Sequence, residues 1–337
     1  MIVQIEESLG ERALFDLIGE IEALGFEATQ VVTQKQSYIV VTGKGTDDIR
    51  AIGHLKGVSD VHSVKDSYQL VSRAWKVKRT TIDLGDGVTI GDGKIAIMAG
   101  PCSIEGVDQV DEIASFLAEN RVAIMRGGAF KPRSSPYSFQ GMGQEGLQMF
   151  AEGARAQGLK IITEVLAPQQ IESMLPFVDI FQVGARNTQN FTLLQELGKV
   201  DKPVLLKRGI SGTLEELLQS AEYIFSSGNE KIILCERGIR TFEKAYRNTL
   251  DINAIPVLKD KSHLPVVVDP SHGIGIRKFV EPVALAGVVA GADGVLVEIH
   301  PVPEEAFSDA AQTLNFKEAQ QLFTKIRGLE SFNGQSA

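Results

Sequence analysis

Residues 94–128 read KIAIMAGPCSIEGVDQVDEIASFLAENRVAIMRGG. Ile95–Ala99 is a short apolar run that breaks at Gly100-Pro101-Cys102-Ser103. Val110–Ala118 has helical spacing, and Ala123–Arg126 is a second short apolar run, ending at Gly127-Gly128. An apolar strand, a helix and another apolar strand form the unit of a parallel sheet buried on both faces. The unit recurs at Ile161–Glu164, Ile180–Val183, Val204–Lys207, Ile232–Cys235, Val266–Asp269 and Val295–Glu298, with helices such as Leu214–Phe225 and Glu281–Val289 between. That makes about eight strands in roughly 240 residues, which matches a closed (β/α)8 TIM barrel better than an open doubly wound sheet. No G-x-G-x-x-G opens a helix after the first strand, which weakens a dinucleotide-binding reading.

Upstream, residues 1–70 read as a separate unit. Met1–Glu6 is a short strand, and Glu11–Leu24 is a helix with Leu14, Leu17, Ile18, Ile21 and Leu24 on one face. Thr29–Thr33 and Tyr38–Thr42 are strands, Thr46–Leu55 is a helix capped by Thr46, Asp47 and Asp48, and Val61–Val64 is a last strand. The order β-α-β-β-α-β is ferredoxin-like. Residues 71–93 form a linker and a hairpin: TIDLGDGVTIGDGK (81–94) pairs Gly-Asp turns with β-branched residues, a flap over one barrel end. The barrel then occupies 94–330, and 331–337 is a polar tail.

Composition narrows the function. The chain has 337 residues, 43% hydrophobic and 23% charged, as expected of a globular protein. Two cysteines suggest no disulfide framework and a reducing, cytoplasmic home. The N-terminus lacks the apolar core of a signal peptide, and no apolar run approaches the roughly 20 residues of a membrane helix. A net charge of −9 argues against nucleic acid as a partner.

Against that acidic balance, the polar residues gather just past the strand ends, where barrel loops vary freely. Arg126, Lys131, Arg133, Arg186, Lys207 and Arg237 all fall there. Each could pair with a loop carboxylate. Six uncompensated cations at one mouth would instead require anionic ligands, a phosphate and a carboxylate among them. Cys102, His272 and Glu298 end strands one, seven and eight, and Asp309 follows on the next loop. A thiolate, an imidazole and two carboxylates suit a divalent transition metal. The alternative is a packed cysteine and a hydrogen-bonded histidine. Cys235, among apolar residues, reads as barrel wall. Glu236 and Asp269 could orient cations or metal ligands, or form plain ion pairs. Lys207 could also form a Schiff base.

GPCSIE, RGGAFKPRSSPYSFQG, QVGARNTQNF, LLKRG, ILCERGIRTFE, VVDPSHG and VLVEIHPVPEEAFSD resemble the 3-deoxy-D-arabino-heptulosonate 7-phosphate (DAHP) synthases, closest to their type I beta branch. The likeness spans nearly all of residues 70–330. It implies a transferase at the first step of the shikimate pathway, joining phosphoenolpyruvate to erythrose 4-phosphate. It also implies a divalent metal (Mn2+, Fe2+, Co2+, Zn2+ or similar) held by Cys102, His272, Glu298 and Asp309. By the same resemblance Arg126, Lys131, Ala185, Arg186, Lys207 and Arg237 bind phosphoenolpyruvate, and Arg133 and Ser134 meet the aldose phosphate. Lys131 is the implied proton donor. GIGIRKF (273–279) departs from the family pattern and leaves Arg277 without an assigned role. The family further implies a homotetramer, and tyrosine or phenylalanine as effector on the N-terminal unit. The nearest rival is an octulosonate 8-phosphate synthase using arabinose 5-phosphate, whose KAN motif stands where this chain has KPRSSP. A non-catalytic phosphosugar sensor is the rival from another class.

Overall fold

The computed structural model describes residues 1–43, 49–131 and 137–333. Its N-terminal unit runs β1 (Ile2–Ile5), α1 (Glu11–Ala23), β2 (Glu27–Val32), β3 (Ser37–Thr42), α2 (Arg50–Gly53) and β4 (Val58–His62). The sheet order is β2-β3-β1-β4 with antiparallel neighbours, the ferredoxin-like arrangement. Leu17 and Ile21, one helical turn apart, are the residues of α1 that bury fully. They pack on Val3, Phe26, Ile39, Val41 and Ile52. The last strand sits three residues earlier than expected. Gly57, at φ +92°, turns the chain so that Val58 already pairs with Ile5, and Val64 joins the barrel's core instead. The capping residues Thr46, Asp47 and Asp48 lie outside the described residues.

The barrel strands are β7 (Ala96–Gly100), β8 (Ile124–Arg126), β9 (Lys160–Glu164), β10 (Ile180–Val183), β11 (Val204–Lys207), β12 (Ile232–Glu236), β13 (Val266–Val268) and β14 (Gly294–Glu298). All pair in parallel, and β14 closes on β7 with Glu298 opposite Gly100. Helices α3 (Val107–Glu119), α4 (Gly143–Ala156), α5 (Ile171–Met174), α6 (Phe191–Gly198), α7 (Leu214–Ser226), α8 (Ala254–Lys261), α9 (Pro270–Ile274), α10 (Arg277–Val289) and α11 (Phe316–Asn333) alternate with them. Thr213 and Glu216 form a capping box that starts α7. Strand β13 stops one residue short of Asp269 because that carboxylate caps α9, accepting from His272 N at 3.0 Å.

The expected hairpin is β5 (Ile82–Asp83) and β6 (Thr89–Ile90). It closes the floor, the end where the strands begin. Ile82 and Ile90 are buried against Met98, Ile124, Ile162, Ile180, Leu205, Ile233, Val267 and Leu296, which fill the barrel interior. Asp86 at its tip meets Lys160 at the start of β9, at 2.7 Å. Cys235 belongs to this apolar interior, as its sequence context suggested.

The N-terminal unit joins the barrel beside this floor. Tyr38 packs edge-on against Trp75 and Phe225, and Trp75 against His263. Glu230, before β12, accepts from Thr33 Oγ1 at 2.6 Å and lies 3.7 Å from Lys76 Nζ. Glu222 on α7 accepts from the backbone N–H groups of Leu70 and Val71 at 2.8 and 3.0 Å. No described helix is long and apolar enough to cross a membrane.

Candidate active site at the barrel mouth

The ends of β7 and β8 approach too closely for ordinary side chains. A Cβ on Gly100 would lie 1.9 Å from Arg126 O, so glycine is required there. Cys102 follows at once, buried, with Sγ 3.2 Å from Asp309 Oδ2. The ligand atoms of Cys102, Glu298 and Asp309 all lie within 4.8 Å of one another. His272 Nε2 faces the same cluster, 3.3 Å from Glu298 Oε1 and 3.7 Å from Asp309 Oδ2. The four residues expected to hold a metal are therefore brought together by three strand ends and one loop. Soft sulfur, imidazole and two hard carboxylates form a donor set that fits a divalent transition metal.

Electrostatics support that fit. Burial, reinforced by Glu298, pushes the Cys102 thiol up to about 12. Burial would also raise the Asp309 carboxyl, but His272 and Arg247 outweigh it and hold the group at about 2. Burial lowers His272 despite Asp269 and Glu298. Asp309 held low and a His272 whose charged form is disfavoured by burial suit a cation, and a cation would favour loss of the thiol proton.

Lys131 reaches back across Gly128 and donates to Cys102 O at 2.8 Å, with Nζ 3.0 Å from Cys102 Sγ. A Cβ on Gly128 would come within 2.9 Å of both Cys102 O and Lys131 Cδ, so this glycine gives the lysine its path. Lys131 thus touches the donor cluster and, with His272 and Asp309, lines an open cleft of about 490 Å³. Lys131, Ala185, Arg186, Lys207, Arg237 and His272 line that cleft, together with Arg240, Arg247 and Glu164.

The expectation of six unpaired cations needs correction. Lys207 Nζ lies 2.6 Å from Asp269 Oδ2. Arg126 is buried beneath the cleft, donating to Pro101 O at 2.7 Å and to Glu298 Oε1 at 3.2 Å. Both are about 5% exposed, and a cation withdrawn that far from water requires a counter-ion. Among the described residues Arg186, Arg237 and Arg240 form no carboxylate pair, and Arg237 donates only to backbone carbonyls. Those three leave positive charge facing the cleft. Arg133 and Ser134 lie outside the described residues.

Asp269 does orient functional groups, bridging Lys207 and His272 Nδ1, the latter at 2.8 Å. Glu236 takes the plain ion-pair role with Arg208, at 2.9 Å. Lys207 as an ion-paired ammonium is poorly prepared for Schiff-base chemistry. Arg277 pairs with Glu304 at 2.7 Å and does not line the cleft. Glu164 closes the third strand, as the sequence indicated, whereas Arg240, Arg247 and Asn248 were not singled out from sequence. The spacing Arg237, Arg240, Arg247 on one strand-end loop of an acidic chain was the available signal.

The sequence model of the DAHP synthetase I family matches residues 75–331. This chain belongs to that family. A phospho-2-dehydro-3-deoxyheptonate aldolase of Thermotoga maritima is 52% identical over 272 residues, covering 81% of this chain and 80% of its own. A 2-dehydro-3-deoxyphosphooctonate aldolase of Syntrophobacter fumaroxidans is 31% identical over 259 residues, 71% of this chain and 88% of its own. The crystal structure of a Thermotoga maritima phospho-2-dehydro-3-deoxyheptonate aldolase (DAHP synthase) superposes with a TM-score of 0.79 and 45% identity over 98% of both chains. A truncated DAHP synthase from that organism gives 0.74 and 48% identity, over 79% of this chain and 98% of its own. For this DAHP synthetase I member, the matched span holds the whole barrel from β7 to β14 and every residue of the donor cluster.

Proposed function

We propose that this chain is a DAHP synthase, condensing phosphoenolpyruvate with erythrose 4-phosphate to give 3-deoxy-D-arabino-heptulosonate 7-phosphate and phosphate. The observation that carries this reading is the juxtaposition of a four-residue donor cluster with a cleft whose Arg186, Arg237 and Arg240 form no carboxylate pair among the described residues. C3 of phosphoenolpyruvate attacks the aldehyde carbon, water adds at C2, and the C–O bond to phosphate breaks. Arg186, Lys207 and Arg237 hold the phosphate and carboxylate of phosphoenolpyruvate, with Ala185 at the cleft wall. Arg126, beneath them, fixes Glu298. Arg133 and Ser134 are assigned to the aldose phosphate. Lys131 donates a proton to the developing alkoxide, and the cation set keeps the two anions in attack geometry.

Cys102, His272, Glu298 and Asp309 would hold a divalent metal such as Mn2+, Fe2+, Co2+ or Zn2+. When bound, it supplies Lewis-acid polarisation of the aldehyde oxygen. Chelation should abolish turnover, and a divalent ion should restore it. Full activity in a preparation shown by elemental analysis to be metal-free would remove the metal from the reading.

The 52% identity to a heptulosonate enzyme against 31% to an octulosonate enzyme supports the four-carbon aldose. Loss of phosphoenolpyruvate measured with erythrose 4-phosphate and arabinose 5-phosphate side by side decides this. A higher kcat/KM with the pentose overturns the assignment, and turnover with neither favours a sensor.

The N-terminal unit, by its ferredoxin-like fold, is read as a regulatory domain responding to tyrosine or phenylalanine within a homotetramer. Truncation should end before Val64, because the stretch that follows is tied to the barrel, Leu70 and Val71 donating to Glu222 and Leu70 O accepting from His263. The expected result is inhibition of the full chain and insensitivity of the truncated one. Indifference of the full chain to millimolar aromatic amino acids leaves the unit a stabilising role.

A further inference from the structure

The loop between β12 and α8 contributes no ligand to the donor cluster, yet it touches the supports of three ligands. Arg247 donates through Nη1 to Asp309 Oδ1 at 3.1 Å and to Gln312 Oε1 at 2.8 Å. Gln312 in turn donates through Nε2 to Glu298 Oε2 at 2.7 Å. The amide orientation of Gln312 is set by its partners: the guanidinium can only donate and the carboxylate can only accept. Gln312 is 2% exposed, so little water competes for either bond. On the same loop, Arg247 N donates to Ile274 O, Asn248 N to Gly273 O at 3.0 Å, and Asn248 Nδ2 to His272 O at 2.8 Å. The loop is therefore laced to α9, which carries His272.

A second observation comes from the backbone. Asp309 has φ +57°, in the left-handed region that costs a non-glycine residue about 1 kcal/mol or more. Gln312 N and Thr313 Oγ1 both donate to Asp309 O, at 3.2 and 2.9 Å, holding the turn in that conformation. With Oδ1 occupied by Arg247, Asp309 offers Oδ2 toward Cys102 and His272. With Oε2 occupied by Gln312, Glu298 offers Oε1 toward His272 and Arg126.

We propose that Arg247 and Gln312 are positioning residues that fix both carboxylates of the cluster, each presenting one oxygen to the metal, before the metal arrives. The inference rests on the metal-binding reading above. Arg247 also lines the cleft, so a direct role in holding the substrate's anionic groups is the competing account.

The test is Co2+ binding to the apo-protein without substrate, read by the thiolate-to-metal absorption of Cys102 and by competition with a chelator. Removal of an outer hydrogen-bond partner of a metal ligand weakens affinity by about 10–100-fold. R247A and Q312L should each show a loss in that range and an altered Co2+ spectrum. The double variant should lose less than the product of the two, because the residues act in one chain. R247K, retaining charge but not the forked geometry, should recover part of the affinity. Absence of Co2+ binding by the wild-type chain defeats the metal reading itself. Wild-type affinity in folded R247A and Q312L, or a raised phosphoenolpyruvate KM as the sole change, overturns the positioning proposal. Should R247A misfold, Q312L carries the comparison, since it keeps the buried volume near that of glutamine.

Discussion

The two ends of the same eight strands have opposite chemistry. At the floor, Ile82 and Ile90 from the hairpin seal an interior of Met98, Ile124, Leu205 and Val267. At the mouth, a few residues further along the same strands, stand Arg126, Lys207, Glu236 and Glu298. Both ends are buried, so burial alone does not distinguish packing from function. The difference lies in what each buried group touches. Cys235 touches aliphatic side chains and a backbone carbonyl at 3.8 Å, whereas Cys102 touches a carboxylate and an ammonium. The histidines divide the same way: His263 near the floor bonds Leu70 O and Thr80 Oγ1, and His272 at the mouth faces three carboxylates.

The sharpest break of this contrast is in the cysteines. C102S should lower kcat by about 10³-fold or more, a loss of several kcal/mol of catalysis, and reduce bound metal while the thermal transition stays near wild type. C235S should reverse the pattern, keeping activity per folded molecule and losing about 1–3 kcal/mol of stability by burying an unpaired hydroxyl. Cys235 lies opposite Lys207 in the β11–β12 register, so equal catalytic losses in the two would mean that the apolar wall and the mouth it adjoins are not separable. Next in size is the seal. I90A should cost about 2–5 kcal/mol in denaturant unfolding with kcat nearly unchanged.

A smaller effect is expected from His263. Burial, aided by Lys76, holds its pKa at about 3, below the 6.5 of an exposed imidazole. The unfolded chain then takes up the proton first. Stability is complete above about pH 6.5 and is lost as pH falls toward 3, by about 2 kcal/mol between pH 6.5 and 5. H263Q should flatten that stretch of a stability-against-pH curve, and an unchanged slope would assign it to other groups. Least of all, D86A, which removes a surface-exposed partner of Lys160, should leave the denaturant midpoint close to wild type, because solvent screens an exposed ion pair.

Much of this was legible in the sequence. A parallel strand buried on both faces is apolar from end to end, so all eight barrel strands could be found within a residue or two, and the polar residues closing five of them or following the others marked the mouth. The four metal-ligand candidates followed because Cys102, His272 and Glu298 sit at strand ends or one loop step beyond. Pairing was harder to see. Nothing in the sequence says that Lys207 shares Asp269 with His272 across 62 positions, or that Arg126 spends its guanidinium on Glu298. Arg247 and Gln312 escaped notice for the same reason: each is an ordinary loop residue until the loops meet. The side of the barrel that the hairpin covers was equally hidden, since period-two patterning marks the buried face of a strand but not its partner.

The floor seal has a consequence for synthesis. The hairpin and the unit before it precede the barrel in the chain, so they leave the ribosome first. Their partners come much later: Lys160 for Asp86, Glu222 and Glu230 for the linker and the β2–β3 hairpin, Val267 and Leu296 for Ile82 and Ile90. During elongation at about 5–20 residues per second, the hairpin's two isoleucines wait roughly 10–40 seconds for the last of those surfaces to emerge. The seal is thus the earliest-made part of the barrel and the last to be satisfied, and chaperone demand during translation should concentrate on that interval.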